Sequence, residues 1–295
     1  MWVAVRQRFQ AFQADLNLTP AQLNDGIGKA IGVGKALERA YNGAASEQPP
    51  IFFVGSWGKG TQVRPSNDVD IMVTFDWRAY QRFEARSGNK QSQLLQEVKG
   101  HLATPYPQTT IRGDGQVIVV GFNTIKVEVV PVFPLQNGQY LMPDANDGGR
   151  WRTVDPRAQI DLIDAVDQRT SGNTRTLIKM IKLWVREQNV PIKSFLIELL
   201  VADFMSRYEN AYRDYHWYDW FVRDFFRFMQ TRIGGQATIP GTGEVISLGM
   251  EWSSKTDAAS RVAETACDWE YHDYHVTAGQ EWQKIFGNRM PINVL

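Results

Sequence analysis

The apolar positions of this chain change their period twice. Val3, Val5, Phe9 and Phe12 recur at roughly helical spacing, and Thr19-Pro20 supplies an N-cap followed by a first-turn proline. Residues 1 to 48 therefore read as helical, with Pro49-Pro50 as the stop. From Ile51 the texture turns to short β-rich runs, IFFVGS, VDIMVTF, QVIVVGF and IKVEVVPVF, bounded by Gly, Asn, Asp and Pro, which predicts a sheet. The stretch PDANDGGRWRTVDPR reads as a connection, and beyond about residue 157 the pattern is mostly helical. There Leu177, Ile178, Ile181, Trp184 and Val185 form the apolar stripe of an amphipathic helix, and FLIELLVADFM is apolar nearly all round, as expected of a buried central helix. The aromatic-dense segment YENAYRDYHWYDWFVRDFFRFM reads as helix–helix packing rather than a base-stacking platform. No internal repeat or low-complexity stretch interrupts this order.

Composition narrows the class. At 295 residues the chain is long enough for about two domains of ~150 residues. Its 32 Lys and Arg balance its 32 Asp and Glu, so no overall basic field exists to drive general nucleic-acid binding, and any phosphate site must be local. The single cysteine, Cys267, excludes an intrachain disulfide framework. Arg6, Arg8 and Asp15 interrupt the N-terminus where a signal peptide would be apolar, and no run approaches the ~18 apolar residues needed to span a bilayer. A soluble cytoplasmic protein without membrane partners is expected.

The chemistry is concentrated between residues 53 and 133. In FVGSWGKGTQVRPSNDVDIMVTF, Gly55-Ser56 is followed after eleven residues by Asp68-Val69-Asp70. Positions two apart on a strand share a face, so Asp68 and Asp70 present adjacent carboxylates among Val69, Ile71 and Val73. Such a pair is costly unless a cation lies between its members, and a hard divalent ion completed by substrate phosphates suits it. The strand running into Gly55-Ser56 gives a turn with accessible backbone N–H groups and a hydroxyl, able to hold a terminal phosphate, with Gly58, Gly60 and Thr61 keeping it open. Glu128, in the run read as the neighbouring strand, supplies a third acid. Three acids facing a Gly-Ser turn is a layout for two-metal phosphoryl or nucleotidyl transfer.

These residues resemble a known group. The G-S-x11-D-V-D-I pattern with a later acid before V-P is similar to the polymerase-β-type nucleotidyltransferase superfamily, and more closely to the bacterial cGAS/DncV-like nucleotidyltransferases (CD-NTases), makers of cyclic oligonucleotide signals in CBASS anti-phage defence. PDANDGGRWRTVDP, RTLIKMIKLW, IKSFLIE and the terminal IFGNRMP extend the likeness, which covers roughly residues 50 to 200. The resemblance implies an α/β fold, a mixed-sheet nucleotidyltransferase core packed on a helical lobe with a central cleft. On that scheme residues 1–40 are N-terminal helices packing on both lobes, 41–155 the core and 156–295 a C-terminal helical domain. It implies Mg²⁺, with Mn²⁺ as an alternative, held by Asp68, Asp70 and Glu128 as catalytic ligands. Gly55 and Ser56 would grip the donor triphosphate, while Lys182 and Ser194 reach its β and γ phosphates. The partners implied are nucleoside triphosphates such as ATP and GTP, with a downstream effector reached through the product, a cyclic dinucleotide second messenger. Many relatives carry Asp where Glu128 stands, a departure that lengthens the ligand by one methylene.

Other signals compete. Arg175, Lys179, Lys182 and Arg186 recur at 0, 4, 7 and 11, a cationic stripe that either serves a triphosphate or is a solvated helix face. Ser194 could equally be a helix N-cap. GIGKAIGVGKAL lacks the order of a P-loop and is expected to be helix. Cys267, His272 and His275 lack the spacing of paired zinc ligands, and His101 and His216 have no nameable partners. Alternatives to cyclic-oligonucleotide synthesis are nucleotidyl transfer to an RNA end, a protein or a small molecule, and a catalytically silent nucleotide-binding scaffold.

Overall fold

The computed structural model describes residues 3–43 and 46–294. Two N-terminal helices come first, α1 (Val3–Leu16) and α2 (Pro20–Asn42). Thr19 caps α2 reciprocally with Gln22: its hydroxyl accepts from the Gln22 amide, and the Gln22 side chain accepts from the Thr19 amide. The helix ends on Gly43, whose φ of 77° is the left-handed conformation that closes a helix cheaply only for glycine. The stop therefore comes before Pro49-Pro50, and residues 46–48 are not helical; Met1, Trp2, Ala44 and Ala45 of the segment read as helical lie outside the described residues.

The sheet follows as β1 (Ile51–Phe53), β2 (Asp68–Thr74), β3 (Thr110–Asp114), β4 (Val117–Gly121), β5 (Lys126–Pro134), β6 (Tyr140–Asp144) and β7 (Arg150–Val154), with helices α3 (Gly55–Lys59), α4 (Trp77–Glu84) and α5 (Lys90–Ala103) between them. Strand order is β1-β2-β5-β4-β3, and β6 adds to β5 and carries β7. β2 and β5 run parallel while the other pairs are antiparallel, so the sheet is mixed. All four sequence-predicted runs contain strands. The stretch read as a connection, however, contains the end of β6, the turn 145–149 and all of β7. Pro143 and the polar alternation Arg150, Arg152 masked this hairpin from a periodicity argument.

The sheet's two faces differ in chemistry. Val69, Ile71, Val73, Val127 and Val129 point to one side, where Ala30, Val33 and Leu37 of α2 and Leu94, Leu95 and Val98 of α5 cover them. On the other face Met72, Val130 and Val132 pack with Val54, Tyr140 and Met142, leaving the acidic ends of the strands beyond a small apolar floor.

The remaining chain forms α6 (Pro156–Arg169), α7 (Asn173–Glu187), α8 (Ser194–Arg207), α9 (Tyr218–Gln230), a small hairpin of β8 (Gln236–Thr238) with β9 (Val245–Ser247), and α10 (Ser253–Tyr271) and α11 (His275–Phe286). Their core contains the stripe Leu177, Ile178, Ile181 and Trp184, the α8 residues Leu196, Ile197, Leu200 and Val201, and the aromatics Phe221, Phe225 and Phe226. Phe9, Phe12 and Leu16 of α1 join this helical core, whereas α2 joins the sheet. Arg8 of α1 is fully buried against Glu270 of α10 at 2.9 Å and donates to the Ile292 carbonyl at 2.9 Å. No helix among the described residues is long and apolar enough to cross a membrane.

Candidate active site

Strand β2 ends its apolar alternation at its N-terminal end, where Asp68 and Asp70 share the face opposite Val69 and Ile71. In the parallel register Asp70 lies beside Glu128 and Asp68 beside Lys126, so the three carboxylates project from one face of two adjacent strands. β1 delivers the other side. Its exit residue Val54 donates its amide to the Asp70 carbonyl at 3.0 Å, and Gly55 then opens α3 with a φ of +56°. A β-carbon on Gly55 would stand 1.9 Å from Asp70 Oδ2, so only glycine lets the carboxylate come this close to the turn. Trp57 fixes the approach by donating from Nε1 to the Asp68 carbonyl at 2.8 Å. Gly55-Ser56 thus starts a short helix rather than an open turn.

Electrostatics mark the same spot. Burial pushes the Asp70 carboxyl up to about 7, with the charges of Asp68 and Glu128 adding to the effect and Lys59 and Lys182 opposing it. Glu128 is also raised, first by burial and then by Asp68 and Asp114. Among the described residues no three His, Cys, Asp or Glu side chains are gathered closely enough to hold a metal ion, so Asp68, Asp70 and Glu128 are not by themselves a ligand set. The side chains on offer, Asp68, Asp70 and Glu128, are all oxygen donors, which suits a hard divalent cation whose remaining ligands come from phosphate and water.

A cavity of about 410 Å³ opens in front of these strands. Gly55, Ser56, Asp68, Asp70, Lys182 and Ser194 all line it; Glu128 is not among its lining residues, although it is Asp70's strand partner. Six of the seven sequence-predicted site residues are thereby brought to one space, drawn from β2, α3, α7 and α8. Ser194 is not an N-cap: Lys193 holds that position, without a side-chain cap bond, and Ser194 is exposed.

The cationic stripe of α7 divides on inspection. Arg175 is committed to Asp164, to Asp167 at 2.7 Å and to the Lys59 carbonyl at 2.8 Å. Lys179 donates to Asn17 Oδ1 at 2.9 Å. Only Lys182 and Arg186 reach the cavity.

Sequence reasoning missed Lys59 and Glu198, which also line the cavity. Glu198 of α8 is 3% exposed, and both its oxygens are taken: Oε1 accepts from Thr61 Oγ1 at 2.6 Å and from Lys182 Nζ at 2.5 Å, and Oε2 from Lys59 Nζ. Lys182 also donates to Thr61 Oγ1 at 2.9 Å. Burial alone would push the Glu198 carboxyl up; the two lysines outweigh it and hold it below the usual carboxylate range. The signal was available, since Glu198 stands among Leu196, Ile197, Leu199 and Leu200, where an acid is expensive unless paired. Thr61, read as keeping a turn open, is instead buried in this network. The cysteine–histidine cluster forms no metal site: Cys267 is buried, His275 faces Glu270 at 3.6 Å, and the His272 ring stacks edge-on to Tyr271. His101 packs on Tyr41 and His216 pairs with Asp214.

Residues 3–167 match the family model described as the Second Messenger Oligonucleotide or Dinucleotide Synthetase domain. A probable cyclic nucleotide synthase of Bacillus cereus is 22% identical over 281 residues, 82% of each chain. A cyclic AMP-AMP-AMP synthase of an Acinetobacter species is 24% identical over 221 residues, 71% of this chain and 61% of that relative. Among solved structures, Escherichia coli CdnC with ATP superimposes with a TM-score of 0.70 at 18% identity, covering 99% of this chain and 100% of CdnC, so the fold is the same.

Proposed function

Because the chain belongs to the second messenger oligonucleotide or dinucleotide synthetase family, the bacterial CD-NTases, and is thereby a nucleotidyltransferase, we propose that it condenses nucleoside triphosphates into a cyclic dinucleotide with release of pyrophosphate. The observation that carries this reading is the convergence of Asp68 and Asp70 with Gly55, Ser56, Lys182 and Ser194 on one cavity, with Glu128 in register beside Asp70. Gly55 and Ser56 receive the donor triphosphate, and Lys182 and Ser194 contact its β and γ phosphates. Asp68, Asp70 and Glu128 would hold Mg²⁺ or Mn²⁺, which when bound neutralises phosphate charge and acidifies the attacking hydroxyl. That ribose oxygen bonds to the donor α-phosphorus, its proton is lost, and the bond to the β-phosphate oxygen breaks to release pyrophosphate. The linear product then rebinds and its free hydroxyl attacks its own α-phosphorus. Residues 41–155, the core, and 156–295, the helical domain, would enclose the site between them, with the helices of 1–40 packing on both, and positioning with charge neutralisation supplies most of the rate.

The ATP-bound CdnC structure supports triphosphate substrates here, and the family's description supports a signalling product. We place the enzyme in the cytoplasm, in anti-phage defence, acting on an effector through its product. The name of the Acinetobacter relative favours a second reading for ring size, a cyclic trinucleotide. Incubation with labelled triphosphates and Mg²⁺, followed by phosphatase, tests the proposal: a phosphatase-resistant cyclic product is expected without any added acceptor, whereas label transferred only to RNA, protein or a small molecule overturns it.

A further inference from the structure

We infer that Lys59 joins Lys182 in receiving the donor triphosphate, and that Glu198 is the positioning residue that holds both ammonium groups at the cavity wall. The inference rests on the function proposed above and deepens it. Lys59 comes from α3 on the sheet side, Lys182 from α7 and Glu198 from α8, and all three line the same cavity as Ser56 and Asp70. Their side chains are 5%, 10% and 4% exposed.

The stoichiometry points to an anionic ligand. Two ammonium groups share the Glu198 carboxylate, leaving one positive charge that faces Asp70 and the cavity, where a polyphosphate with its cation would meet both. Both oxygens of Glu198 are engaged, Oε1 by Thr61 and Lys182 and Oε2 by Lys59, so the carboxylate acts through these partners. Burying three ionised groups is poor cement between elements, since well-packed apolar side chains do that job as well or better. It is good preorganisation: each lysine is aimed before substrate arrives, and Lys182 would turn its bonds to the Thr61 hydroxyl and carbonyl over to a phosphate. Thr61 locks the geometry by donating to Glu198 while accepting from Lys182, and its amide is tied to the Ser56 carbonyl at 2.9 Å, so the lysine pair and the Gly55-Ser56 segment are held as one unit.

The test compares ligands that differ only in the phosphates. On the full chain with Mg²⁺, dissociation constants are measured for ATP against AMP and for GTP against GMP, alongside KM and kcat for pyrophosphate release. Lys59→Met and Glu198→Gln are expected to weaken the preferred triphosphate about tenfold or more, and to raise its KM accordingly, while leaving the monophosphate within about twofold. Glu198→Asp, which keeps the charge, restores part of the loss. Should Glu198→Gln fail to fold, Lys59→Met decides alone. Equal losses for triphosphate and monophosphate, or an unchanged triphosphate preference in Lys59→Met, would show cement and overturn the inference. A wild-type chain that shows the expected binding but releases no pyrophosphate sinks the proposed function and leaves the lysine pair standing.

Discussion

Gly55 is the residue on which the site's geometry is most finely balanced. With φ at +56° and Asp70 Oδ2 where its β-carbon would be, it satisfies a backbone and a packing requirement at once. Gly55→Ala is expected to cost about 1–3 kcal/mol in stability through the strained φ. It should also lower turnover about a hundredfold, because Asp70 must move away from the start of α3, the segment proposed to receive phosphate. Denaturant unfolding and steady-state rates on one preparation check this; wild-type turnover would contradict it. Asp219 shows the opposite logic, a carboxyl carried in the core without a site to serve. Burial pushes it up to about 7, well above its unfolded value of 3.8. The folded state therefore holds the extra proton between those values, and its stability falls as pH rises from about 4 to about 7 and then levels. Asp219→Asn removes that penalty, so its gain in melting temperature over wild type should be greatest at pH 8 and shrink towards pH 4. A gain independent of pH would contradict the assignment.

At the scale of elements, the helices and sheet are held by contacts of very different sequence separation. The alternating β2 and β5 and the amphipathic α7 were legible because each meets its neighbours through a periodic face. Asp68, Asp70 and Glu128 were legible for the same reason, being polar exceptions on an apolar pattern. β3, β6 and β7 were not, since Gly113, Pro143 and the exposed arginines of β7 break that alternation. The pairing of Lys59 with Glu198 was hidden because it depends on how α3 meets α8, which no local pattern encodes. The same holds for Arg8 and Glu270, 262 residues apart yet both fully buried. Arg8→Met strands Glu270 without its charge partner, and a loss of about 3–5 kcal/mol in unfolding free energy is expected, as for other broken buried pairs. Chemical denaturation reads it directly. A change below about 1 kcal/mol would mean that water or His275 takes over the pairing.

For the whole molecule, zero net charge conceals a polar arrangement. The acids project from one face of β2 and β5, and Asp68 and Asp70 line the same cavity as the lysine pair, so that space suits a ligand with negative phosphates and a divalent cation together. That complementarity is what the proposed nucleoside triphosphate substrates require. The most direct measurement is mass spectrometry of the phosphatase-resistant fraction after incubation with the four ribonucleoside triphosphates and Mg²⁺, for wild type and for the double variant Asp68→Asn with Asp70→Asn. The account predicts a cyclic oligonucleotide mass from the wild type and none from the variant; no such product from the wild type, or an equal yield from both, would contradict it.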